Sequence, residues 1–120
     1  MIGLTNAPAF SIEEAAEATG TVSFDETAAG EATFFTVARS RRARVGSIYL
    51  DTSNITQNTT FRLYERIDGT NYRLVVETAF VAASADGFRF DEFTTYRGFR
   101  VTGQCGGGGG GSVDVPYAIV

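Results

Sequence analysis

The sequence predicts an all-β fold, an antiparallel β-sandwich or jelly roll of about eight strands, on three observations. From Thr21 onward, Thr, Val, Phe and Tyr dominate. Their apolar members alternate with polar residues at a period of two, the spacing of a strand with one buried face. Turn residues interrupt this pattern every eight to twelve positions.

Residues 1–20 read differently, as an N-terminal arm with one short helix. Asn6 and Pro8 break any pattern in the first ten residues, yet Ile2, Leu4 and Phe10 are apolar. Each would lose roughly 1.5–3 kcal/mol of burial if left in water, so the arm is expected to pack, preferably on a neighbouring subunit. Ser11 and Glu14 have capping-box spacing, and Gly20 would end a helix of about two turns.

Residues 21–120 form the single β-sandwich domain. The predicted strands cover 21–25, 32–39, 43–51, 59–67, 71–80, 88–92, 95–103 and 112–119. The pair 59–67 and 71–80 is the clearest, with Asp68-Gly69 as a tight-turn signal between them. A two-residue turn would set Leu63 opposite Leu74 and Phe61 opposite Val76. A longer turn shifts the pairing by two and keeps the same faces together. The expected core therefore includes Leu63, Leu74, Val76 and Phe80, joined by Phe90, Phe99 and Val101. The opposite face carries Arg62, Tyr64, Arg66 and Arg73, an exposed sheet face on which Tyr64 and Arg73 would stack across the strands. Pro116 cannot donate to a ladder, which predicts an edge position or a bulge for the last strand.

Composition narrows the function. The chain has 120 residues, no His and no Trp, one Cys, and ten basic residues that are all Arg. Without His the commonest general base is missing, and without Lys so are Schiff-base and P-loop chemistry. A lone Cys makes neither an internal disulfide nor a thiolate zinc site. The net charge of −4 argues against duplex DNA as a partner. No apolar run approaches the ~20 residues of a membrane span. The start, MIGLTNAPAF, lacks a basic region followed by a long apolar stretch and so reads as a protein used inside a cell or particle. These features predict a non-enzymatic protein without cofactor or metal, one that binds or assembles.

Three segments stand out. Arg39, Arg41, Arg42 and Arg44 make a locally basic run on an acidic chain, suited to docking carboxylates of a partner through planar, bidentate guanidinium groups. The alternative is a solvated loop. The six glycines 106–111 are expected either as a loose hairpin loop or as a close backbone approach to another chain. Cys105, beside them, is expected as an exposed or half-buried free thiol. The acidic pairs Asp25-Glu26 and Asp91-Glu92 point to opposite faces of a strand, so neither makes a carboxylate dyad by itself.

The stretch Ile48 to Asn54, followed by Phe61-Arg62-Leu63-Tyr64-Glu65-Arg66-Ile67-Asp68-Gly69-Thr70-Asn71-Tyr72-Arg73-Leu74, resembles small β proteins of tailed bacteriophages and archaeal viruses. The resemblance implies a virion accessory role, such as a capsid decoration subunit that binds itself and a larger shell, located in the virion. It carries over no ligand or active-site residue. Two alternatives come from other classes. One is a carbohydrate-binding module with Tyr side chains as stacking platforms. The other is a fibre- or pilus-type subunit that exchanges a terminal strand.

Overall fold

A computed structural model describes residues 18–39 and 42–120. The described residues contain no helix and form ten strands: β1 (Ala18–Asp25), β2 (Ala32–Ala38), β3 (Ala43–Val45), β4 (Ile48–Asp51), β5 (Thr59–Glu65), β6 (Arg73–Phe80), β7 (Gly87–Phe90), β8 (Phe93–Thr95), β9 (Gly98–Cys105) and β10 (Ser112–Ile119). Two four-stranded antiparallel sheets, ordered β1-β10-β4-β7 and β2-β9-β5-β6, hold eight of them, and β3 pairs with β8 in a small ribbon. With the ribbon set aside, the eight strands alternate between sheets in the order of a jelly roll.

The alternation in the sequence produces the core directly. Phe24, Ile48, Leu50, Phe61, Leu63, Phe90, Phe99, Val101, Val115 and Ile119 are buried between the sheets. Phenylalanine rings run through it in contact: Phe24 on Phe34 at 5.1 Å, Phe61 on Phe88 at 4.8 Å, and Phe88 on Phe90 at 5.0 Å. Most of these contacts are edge-to-face or tilted, the arrangements favoured by the ring quadrupole.

The structure corrects several expectations. Residues 18–20, the end of the expected helix, are strand: Gly20 pairs with Tyr117 and extends β1 along β10. The rest of that helix and the arm residues Ile2, Leu4 and Phe10 lie outside the described residues. The 43–51 strand divides at Gly46 into β3 and β4, and Phe93–Thr95 forms a strand of its own. β10 is central rather than an edge, lying between β1 and β4. Pro116 is tolerated there because the β4 ladder begins only at Tyr117.

The β5–β6 hairpin gives the most informative correction. Its loop spans residues 66–72, and Phe61 and Leu63 pair with Thr78 and Val76, the register of the longer turn. A bulge then intervenes, so that Tyr64 pairs with Leu74 and Glu65 with Arg73. The extra residue reverses the facing of everything before it on β6. Leu74 therefore leaves the core face, and it and Val76 are exposed, whereas Leu63 and Phe80 are buried as expected.

Candidate functional site

The two sheets leave one side of the sandwich open. β6 ends one sheet and β7 ends the other. Residues 81–86 join them, held by hydrogen bonds from the Thr52 amide to the Asp86 carbonyl at 2.9 Å and from the Thr52 hydroxyl to the Ala85 carbonyl at 3.1 Å. β6 has eight residues and β7 four, so β6 outruns its cover. Phe80, next to the connection, is buried. Towards the start of the strand, Val76, Val75 and Leu74 are 39, 43 and 49% exposed. Ile67 and Val81, just beyond the two ends of β6, are also exposed, so this hairpin holds five of the eight exposed large hydrophobic side chains among the described residues. Such concentration marks an interaction surface, where scattered singles would not.

Behind the edge lies a groove of about 290 Å³. Leu63 and Val76 line it from one sheet, Phe88 and Phe90 from the other, and Phe93 from β8. Arg89, Asp91 and Glu92 form its charged rim. Arg44 reaches that rim in an ion pair with Glu92, and Arg89 pairs with Asp91 at 3.4 Å. The strand RLVVETAF carries neither Lys nor Pro, two usual means of blunting a sheet edge. Its bulge is the one such device visible here.

The outward face of the β2-β9-β5-β6 sheet is polar. The Glu31 carboxylate accepts hydrogen bonds from the Tyr64 and Thr102 hydroxyls, both at 2.5 Å, and lies 3.6 Å from the Arg62 guanidinium. Burial pushes the Glu31 carboxyl up, but the bonds from Thr102 and Tyr64 and the charge of Arg62 outweigh it and hold the group below its ordinary range. Arg62 also donates to Glu77 at 2.7 Å and to Gln104 at 2.8 Å. A shallow depression of about 260 Å³ opens beside this network, lined by Glu31, Thr33, Tyr64, Tyr72, Arg100 and Thr102.

The residues singled out by sequence fall in different places. Arg62, Tyr64 and Arg66 do lie on the outward side, half-buried in polar contacts; Arg66 donates to the Arg97 carbonyl at 2.8 Å. The expected stacking of Tyr64 with Arg73 is replaced by Arg100 over the Tyr72 ring at 4.1 Å, with Arg66 at 5.7 Å. The bulge is the cause, because it pairs Tyr64 with Leu74 and moves Arg73 to the other alternation. Of the basic run, Arg39 is half-buried, Arg42 is exposed, Arg44 is exposed on the groove rim, and Arg41 lies outside the described residues.

Sequence reasoning missed Glu26. It is only 1% exposed, and its carboxylate accepts from the Thr56 amide at 2.9 Å, the Thr56 hydroxyl at 2.7 Å and the Gln57 amide at 3.1 Å. The glycine run packs on it. Gly109 donates to the Glu26 carbonyl at 3.0 Å, and a Cβ at Gly109 would stand 2.4 Å from the Glu26 Cβ. The close approach of the glycines is therefore to their own chain. Cys105 is buried in the same place, its sulfur 3.6 Å from the carbonyls of Glu26 and Ala28. This corrects the expectation of an exposed or half-buried thiol. Among the described residues, no group of three or more His, Cys, Asp or Glu side chains is arranged to hold a metal ion.

Fold and site together define a jelly-roll domain with one open apolar edge. A solved structure of similar fold is the Yersinia pseudotuberculosis-derived mitogen (YPM), with a TM-score of 0.53 and 14% sequence identity over 86% of this chain and 83% of that one. At that identity the likeness concerns the fold alone. No protein-family model and no curated sequence matches the chain.

Proposed function

We propose that this chain is a non-enzymatic assembly subunit, a jelly-roll domain that binds neighbouring copies of itself and a larger protein shell such as a virion surface. The observation that carries the reading is the open edge at β6, where Leu74, Val75 and Val76 stand exposed beside an apolar groove. Burying such a surface would contribute about 25 cal/mol per Å² of apolar area, before the costs of association. The jelly roll recurs in viral capsid and lectin domains, which supports the class by fold analogy only. The exposed Arg42 and the rim residue Arg44 add cations that acidic groups of a shell would pair with, in an attraction that salt screens.

Light scattering of the full chain across a concentration series tests this. The expected mass rises above the 12.8 kDa of one chain as concentration increases. A mass of one chain throughout, with no binding to a purified shell, would overturn it.

The second reading, a glycan-binding module, is favoured by the depression beside Tyr64 and Tyr72. It is the weaker one. Arg100 already covers a face of the Tyr72 ring, and the Tyr64 hydroxyl is committed to Glu31. Glycan-array binding that is lost on Tyr72→Ala would place this reading first.

A further inference from the structure

The sequence of the exposed edge is self-complementary. Around Val75 the strand reads Arg73-Leu74-Val75-Val76-Glu77. Two copies laid antiparallel with Val75 opposite Val75 set Leu74 against Val76 twice and Arg73 against Glu77 twice. Opposite charges and apolar pairs facing each other across strands are the arrangement that stabilises a sheet pair. A two-fold interface requires this property, because each side chain must meet its mirror position on the same patch.

We infer that β6 is the contact between two copies of this chain, joined antiparallel about a two-fold axis near Val75. The inference rests on the assembly reading above and names its surface and partner. Charge complementarity commits the occupant to a second copy, since the same five residues supply both halves of each pair. Glu77 is half-exposed on its outer side while its inner side holds Arg62 at 2.7 Å. In the pair it would lie between Arg62 of its own chain and Arg73 of the second copy. The bulge at Val75 shortens the backbone ladder that a second copy can add. Side-chain pairing must therefore select the register. Glu65, which faces Arg73 across the hairpin, stays within its own chain and is not needed for the contact.

Sedimentation equilibrium of the full chain tests the geometry, with circular dichroism confirming that each variant keeps its strand spectrum. Val75→Lys sets two ammonium groups at the axis and should weaken association at least about tenfold. Arg73→Glu opposes two carboxylates at each end and should weaken it about tenfold. The double variant Arg73→Glu/Glu77→Arg exchanges the charges and should return to within about threefold of the wild type, since the cross-copy pairs are restored. Association unaffected by Val75→Lys would overturn the inference while leaving the assembly reading standing on another surface. Failure of the exchange to rescue Arg73→Glu would overturn the two-fold register. A wild type that never associates would remove both. Should Val75→Lys fail to fold, the comparison of Arg73→Glu with the double variant decides the matter.

Discussion

The two sides of this sandwich solve the sheet-edge problem in opposite ways. On one side, the turn after β1 is sealed. Glu26 is buried under the glycine run, ties down residues 56 and 57, and lies against the thiol of Cys105. On the other side, β6 stands beside a groove with three large apolar residues in a row towards solvent. Both sides are built from the same kind of strand. The difference teaches that a jelly roll needs only one well-closed side for its core, which frees the other for contact.

The largest effect expected from breaking this contrast comes from the core behind the open edge. Phe61 is fully buried against Phe80 and Phe88, so Phe61→Ala should cost about 3–5 kcal/mol in chemical denaturation. Leu74→Ala, on the exposed stretch, should stay within about 0.5 kcal/mol in the unassociated chain. If the two rank the other way, the facing of β6 is wrong.

Next comes the sealed side. Glu26→Ala leaves the Thr56 and Gln57 amides without their acceptor and should cost roughly 2–3 kcal/mol by the same measurement. Gly109→Ala drives a Cβ into Glu26 and should cost about 1–3 kcal/mol. Gly110→Ala, where an added Cβ meets nothing within 4 Å, should be close to neutral and serves as the control.

The smallest effect lies in the hairpin loop that carries the open edge. The Asp68 carboxylate accepts from the Asn71 and Thr70 amides, which lowers its pKa from 3.8 to about 2. A depressed acid stabilises the folded state above its ordinary pKa and loses that contribution as pH falls through the folded value. Thermal melting followed as a function of pH should therefore show a steeper loss between about pH 4 and 2 in the wild type than in Asp68→Asn. Equal slopes would mean that the loop does not hold Asp68 in solution.

Much of the fold was legible because period-two alternation is a local property. The strands around Phe34, Leu63 and Val115 could be placed within a few residues, and the buried set from Leu63 to Val101 followed. What failed was what local pattern does not encode. Nothing in Arg73-Leu74-Val75-Val76 announces a bulge, yet one extra residue moved Leu74 from the core to the surface. Strand order decides which strand is an edge, and it joins residues far apart in sequence, so Pro116 was misplaced and β6 was not recognised as an edge. Glu26 looked like an ordinary turn carboxylate because its partners lie some thirty residues on. The glycine run did signal close backbone approach, but not which backbone. Arg44 was singled out for its charge, and only the fold places it on the groove rim.

The central claim is that the open edge at β6 is where this protein meets its neighbour. Amide hydrogen exchange at low and high protein concentration tests it most directly, because an added strand protects the amides it covers. The account predicts that exchange in Arg73–Phe80 slows as concentration rises, while the edge strands β1 and β2 are unchanged. Protection that instead appears on β1 or β2, with β6 exchanging at the same rate throughout, would contradict it.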